Sequence, residues 1–187
     1  MDQFDGDWSR LVTCCEGSAL RLVDLVVHSI SSYDDKCEFE GRQVYFRKRA
    51  QILVADIWAC FEGKGFGAFR DIDSVTMFAD YRVPQSLVYF GAIKYSEALT
   101  EKLRANPFLP KGSREECEIR AASIWSVELA RRRALDIMAQ EKDVTETKGS
   151  GGTFNAIVID FYLWDYAKAS SAKMEHIPIH KTTTYFY

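Results

Sequence analysis

Apolar residues recur at intervals of three and four through most of this chain, and that period leaves few architectures open. Ala19, Leu22, Val23, Val26, Val27 and Ile30 mark one face of an amphipathic helix, with Asp24 and His28 opposite and Ser18 placed to cap its start. The period returns at Ala50, Leu53, Val54, Ile57, Trp58 and Phe61. It returns again at Leu87, Val88, Gly91, Tyr95 and Ala98, in a helix expected over about 84–99. A further helix begins near Arg114, and Ile119, Ala121, Ala122, Ile124, Trp125, Val127 and Leu129 make its first half apolar nearly all round. That is the pattern of a buried central helix, within which Glu118 and Glu128 need partners or water. The last helix runs from about Phe154 to Ala169, with Phe154, Ile157, Val158 and Phe161 as its stripe and Asp165 continuing it one turn on. No alternation of strand and helix interrupts this order. The expectation is an all-α, bundle-like domain of five or six helices, a single domain over residues 1–187.

Breakers separate the helices. Gly63-Lys64-Gly65-Phe66-Gly67 follows a helix and lacks the Walker pattern, so it reads as a C-cap and turn, not a phosphate loop. Asn106-Pro107 and Pro110-Lys111-Gly112-Ser113 mark a loop, and the polar, glycine-rich residues 141–153 a mobile one. Cys37-Glu38-Phe39-Glu40-Gly41 alternates as a short hairpin does, or belongs to a loop. Residues 1–17 show no clear period, and His176 to Tyr187 reads as an extended packed segment.

A net charge of −3 argues against a general nucleic-acid surface. No run of 18 apolar residues and no signal-peptide pattern occurs, so neither membrane nor secretion is expected. The five cysteines are odd in number and lack C-x-x-C spacing, which fits reduced thiols in the cytoplasm, with the nucleus as the alternative. His176 and His180 stand four apart, but Pro178 breaks the helix that would bring both rings to one face, so no metal site is expected.

Chemistry concentrates at Met77-Phe78-Ala79-Asp80-Tyr81-Arg82-Val83-Pro84-Gln85. Pro84 favours a helix start beside it, which sets Asp80 on the approach to a helix N-terminus where a carboxylate is favoured and usually ionised. Asp80 either caps that helix, pairs with Arg82, or serves a reaction. Lys48 falls in the first turn of its helix, where a cation gains nothing from the helix dipole; it either reaches to water or serves an anion or substrate atom. Asp160 and Trp164 share a face near the C-terminal end. A carboxylate on the buried side there, Asp160 or Asp165, needs a ligand, a buried arginine or a backbone N–H, with Phe161, Tyr162 and Trp164 available for stacking.

Four motifs together carry a family resemblance. Phe46-Arg47-Lys48-Arg49-Ala50-Gln51-Ile52-Leu53-Val54-Ala55-Asp56, the Met77–Gln85 stretch, Glu118-Ile119-Arg120 and Tyr162-Leu163-Trp164-Asp165-Tyr166-Ala167 resemble the queuosine salvage protein family, in order, from roughly Leu20 to the C-terminus. The resemblance implies a fold like that of helical DNA glycosylases and an N-glycosylase activity on queuosine 5′-phosphate that releases the base queuine for reuse in tRNA modification. It implies that Asp80 is the catalytic residue, as base or oxocarbenium stabiliser, and that Tyr81 shapes the ribose or base pocket. Lys48 would hold a ribose hydroxyl or Asp80 itself, Asp165 or Asp160 would read the amine-bearing side of queuine, and Trp164 would stack. The substrate would be a small molecule, queuosine 5′-phosphate or queuosine, with no cofactor and no direct nucleic-acid contact. Family members are nearly twice this length, so the expectation is a chain lacking an N-terminal portion. The alternative is a non-catalytic helical domain binding queuine, a nucleotide or a protein partner.

Overall fold

The computed structural model describes residues 6–142 and 154–187. Among these residues the protein is mostly helical, with seven α-helices and one two-stranded sheet. They are α1 (Trp8–Thr13), α2 (Ala19–Ser29), β1 (Lys36–Phe39), β2 (Arg42–Tyr45), α3 (Lys48–Cys60), α4 (Val83–Tyr89), α5 (Glu97–Ala105), α6 (Arg114–Lys142) and α7 (Ala156–Ala169). The helical expectation holds for most of the chain, and the sheet added to it is the short hairpin that the Cys37–Gly41 alternation allowed. Glu40 and Gly41 both take positive φ, the backbone of a tight hairpin turn, and set Phe39 opposite Arg42. Cys37, Phe39 and Val44 pack that hairpin on the cluster around Phe46, Met77 and Cys117.

The first core joins α2 to α3. Leu22, Val23 and Val26 meet Ala50, Val54 and Ala55, and Phe69, Ile72 and Phe78 close over them. Ser18 Oγ caps α2 by accepting from Arg21 N–H, and Asp71 reaches across to accept from Ala19 N–H and Ser18 Oγ–H. The Gly63 turn ends α3 as expected, with Glu62 and Gly63 both at positive φ. The start of α3 has no local side-chain cap; the Asp35 carboxylate accepts from Lys48 N–H instead.

Residues 75–80 have no regular secondary structure and pass between two cores, starting from the extended backbone of Val75. Alternation turns Met77 and Ala79 into the cluster of Phe46, Val83 and Leu163, while Phe78 joins the α2–α3 cluster. Asp80, two residues on, follows Phe78. Fully burying a side chain such as Met77 contributes about 1.5–3 kcal/mol, which fixes this register and with it the direction of Asp80.

The helix expected over 84–99 is two helices. The chain leaves α4 at Phe90, Gly91 turns it with φ +73, and Ser96 caps α5 by accepting from Leu99 N–H. A short helix, α1, also forms where no period was evident. The expected all-round burial of α6 does not occur: Glu116, Cys117, Ile119, Arg120, Ser123 and Val127 are buried, whereas Trp125 and Leu129 are exposed. Glu118 pairs with Arg114, and Glu128 with Arg131 and Arg132, so the predicted need for partners is met on the surface. The buried stripe of α7 is Ala156, Ile157, Asp160, Leu163 and Ala167, rotated from the expected one. A helix reading Ala-Ile-Val-Ile-Asp-Phe-Tyr-Leu-Trp is apolar on every side, so periodicity cannot choose its face. The tail is extended: Lys181 bridges Phe108, and its N–H donates to the Pro107 carbonyl. Residues 143–153 of the expected glycine-rich loop lie outside the described residues.

Candidate active site

α3, the 75–80 segment and α7 meet around a cleft of about 310 Å³. Lys48 and Ile52, one turn apart, supply one wall; Phe78 and Asp80 come from the 75–80 segment; Asp160, Phe161, Trp164 and Asp165 come from α7.

Asp80 is buried, at 6% exposure. Its Oδ1 accepts from the Arg82 and Val83 N–H groups, both at 2.9 Å, so the carboxylate does cap the approach to α4. The Arg82 guanidinium makes its hydrogen bond elsewhere: its Nη1 donates to Gln85 Oε1 at 3.0 Å, and Gln85 in turn donates to the Met174 and Ile177 carbonyls. Oδ1 is thus committed to the backbone, and the side chain lines the cleft. Burial pushes the Asp80 carboxyl above its ordinary range, while the Val83 N–H and the Lys48 charge hold it down.

Asp160 is equally buried and accepts from Phe78 N–H through Oδ2 at 2.9 Å. Desolvation raises its pKa to about 7, with the charge of Asp80 adding to the rise and Lys48 opposing it. Two carboxyls and one lysine therefore line one cleft, and one of the acids, Asp160, titrates near neutral pH. Asp165 and Trp164 form the rim; both are exposed, and Lys168 Nζ lies 4.0 Å from the Trp164 ring centroid. Phe161 and Phe78 pack ring to ring, 6.0 Å between centroids, closing the apolar end.

Such a site offers an aromatic shelf, an acid beside a cation, and a second acid able to donate or accept. The match to known proteins agrees with that character. The family described as Queuosine salvage protein matches residues 1–187. The chain belongs to the queuosine salvage protein family. The match thus extends beyond the expected Leu20 boundary. A Bos taurus relative named queuosine 5′-phosphate N-glycosylase/hydrolase is 46% identical over 187 residues, covering 100% of this chain and 53% of its own. Relatives of the same name from Schizosaccharomyces pombe and Sphaerobacter thermophilus are 41% and 39% identical, covering 92% and 100% of this chain and 46% and 53% of their own. The chain spans about half the length of the relatives it matches.

Of the site residues expected from the sequence, the structure brings Lys48, Asp80, Asp160, Trp164 and Asp165 to this one cleft. Tyr81 is not among the lining residues. Alternation along the chain turns it from the Phe78–Asp80 side, and it is 38% exposed with its ring centroid 5.7 Å from the Arg82 guanidinium. Ile52 and Phe78 line the cleft without having been singled out. Ile52 follows Lys48 at the four-residue interval that shares a helix face, a signal the sequence does carry. No helix among the described residues is long and apolar enough to cross a membrane.

The half-protonated Asp160 makes a pH prediction. Its pKa in the folded protein, about 7, lies above the ordinary 3.8, so the stability tied to its proton is full below about pH 4 and lost as pH rises through 7. Asp160→Asn keeps an acceptor for Phe78 N–H and removes that loss. The variant should melt above the unaltered protein at pH 8, with the difference vanishing toward pH 4; each kcal/mol corresponds to about 2–4 °C. Melting curves that stay parallel from pH 4 to 8 would contradict this assignment.

Proposed function

We propose that this chain carries the N-glycosylase chemistry named for its relatives, cleaving queuosine 5′-phosphate by water to queuine and ribose 5-phosphate. The observation that carries it is the grouping of Lys48, Asp80 and Asp160 around one cleft beside Phe161 and Trp164. Breaking the bond from C1′ to the base leaves positive charge on the ribose and negative charge on the base. Asp80, ionised, stands under the sugar, stabilises that positive charge and takes the proton of the attacking water as oxygen bonds to C1′. That proton replaces the one Asp160 gives to the departing base, so the two acids end as they began. Lys48 keeps Asp80 charged and holds a ribose hydroxyl. Asp160, protonated in part, donates to the base, and Asp165 at the rim accepts from the amine-bearing arm of queuine while Trp164 covers the ring. Burial strengthens each of these contacts.

The same reading takes residues 1–187 as one domain with the plan of a helical DNA glycosylase, acting in the cytoplasm on a free nucleotide. A free nucleotide needs no extrusion from a duplex, and the net charge of −3 accords with that.

Queuine itself tests the pocket. A ligand at a hundredfold excess over its Kd stabilises the folded state by about 2.7 kcal/mol, so the melting midpoint should rise about 5–10 °C on titration with queuine. Adenine at the same concentration should leave it in place. Equal shifts with both bases, or none with queuine, would overturn the reading.

A further inference from the structure

Arg120, from the Glu118-Ile119-Arg120 motif, has no task in this chemistry, yet it is 2% exposed and every nitrogen of its guanidinium is engaged. Nε donates to the Ala79 carbonyl at 3.0 Å. Nη1 and Nη2 donate to Asp35 Oδ1 and Oδ2 at 3.1 and 2.5 Å, and Nη1 also donates to Glu116 Oε1 at 3.1 Å. The rings of Phe46 and Tyr187 lie against the guanidinium carbon, their centroids 4.0 and 4.3 Å away. Asp35 is the remote cap of α3: its Oδ2 accepts from Lys48 N–H at 3.2 Å, and its carbonyl accepts from Phe46 and Arg47 N–H at 2.9 and 3.0 Å. One guanidinium thus grips the peptide immediately before Asp80 and the carboxylate that seats Lys48.

We propose that Arg120 is a positioning residue: by tying the Ala79 carbonyl to the Asp35 cap, it sets how far the Lys48 ammonium stands from the Asp80 carboxylate. A planar fork is needed because two roughly parallel bonds to Asp35 and a third at a fixed angle to Ala79 lock both elements at once. Lysine keeps the charge but offers a point instead of a fork, so the two elements stay close without a fixed separation. The charged groups facing Asp80 are Lys48 from α3, Asp160 and Asp165 from α7, and Arg82 on its own turn. Of these, Lys48 is the one whose seat depends on Asp35. The catalytic consequence rests on the base-release reading, but the positioning itself does not.

The test is Arg120→Lys in the 187-residue chain, with Asp80 titrated by carboxyl 13C NMR and turnover of queuosine 5′-phosphate followed alongside. The expected result is a folded protein whose Asp80 titrates at higher pH than in the unaltered chain. Its kcat should fall on the order of tenfold to a hundredfold with KM little changed, because a misplacement of about 1 Å costs that much. Tyr187→Phe removes the hydroxyl bond to Glu116 (2.7 Å) and none of the Arg120 bonds, and should leave the Asp80 titration in place. If Arg120→Lys does not fold, Asp35→Asn, which breaks the bidentate pairing while keeping the side-chain shape, should give the same upward displacement. An Asp80 titration that superposes on the unaltered one in either folded variant overturns the proposal, as does failure of both variants to fold, which would make the network a requirement of the fold alone. An unaltered chain that lacks turnover but shows the displaced titration in Arg120→Lys would uphold the positioning and defeat the base-release reading.

Discussion

Asp80→Asn should yield a folded protein whose base release is slower by about 10²–10⁴-fold. The amide retains Oδ1, which accepts from the Arg82 and Val83 N–H groups, so the start of α4 is preserved. What disappears is the negative charge beside Lys48, and with it both the counter-charge for the ribose and the acceptor of the water proton. The buried site enlarges that loss, because charges interact more strongly where the effective dielectric is low. The melting midpoint should hold or rise, since burial penalises the ionised carboxyl in the folded state. Purified variant and unaltered chain, compared in kcat and melting on the same preparation, decide the matter; unaltered turnover in Asp80→Asn would remove Asp80 from the mechanism.

The second large effect is on stability. Arg120→Met should lower the free energy of unfolding by about 3–5 kcal/mol, because it strands Asp35 and Glu116, 1% exposed each, as buried carboxylates without their shared cation. For a domain stabilised by roughly 5–15 kcal/mol that is a fifth or more of the total. The methionine fills the space between Phe46 and Tyr187, so lost packing is a minor part of the effect. Urea unfolding measures it, and a change under about 1 kcal/mol would show that the network carries little of the fold. Arg120→Lys, which keeps the charge, should fall well short of this loss.

Local rules brought much of the site within reach of the sequence. Lys48 stands out because a cation gains nothing from the dipole in the first turn of α3, and Asp80 because Pro84 favours a helix start just after it; both reach the cleft. Asp160 and Asp165 could not be ranked, because α7 is apolar on all sides and its orientation is settled by contacts with α4 and α6. The structure buries Asp160 and leaves Asp165 exposed on the rim. The break between α4 and α5 was masked because Gly91 fits a helical stripe as well as it fits a turn. Trp125 and Leu129 show the opposite limit: apolar character on α6 predicts burial, and the fold leaves both outside. Asp35 gave no sign at all. It sits in a polar stretch beside the hairpin, and its importance arises from Arg120, 85 residues away in the chain. Pairings of that separation have no period and no local signature.

The most direct measurement is a single-turnover reaction of the unaltered 187-residue chain, in excess, with queuosine 5′-phosphate, followed by chromatographic separation of base from nucleotide. Free queuine should accumulate in step with ribose 5-phosphate. Nucleotide recovered whole from a protein that nonetheless binds it would contradict the account and leave a binding domain in place of a hydrolase.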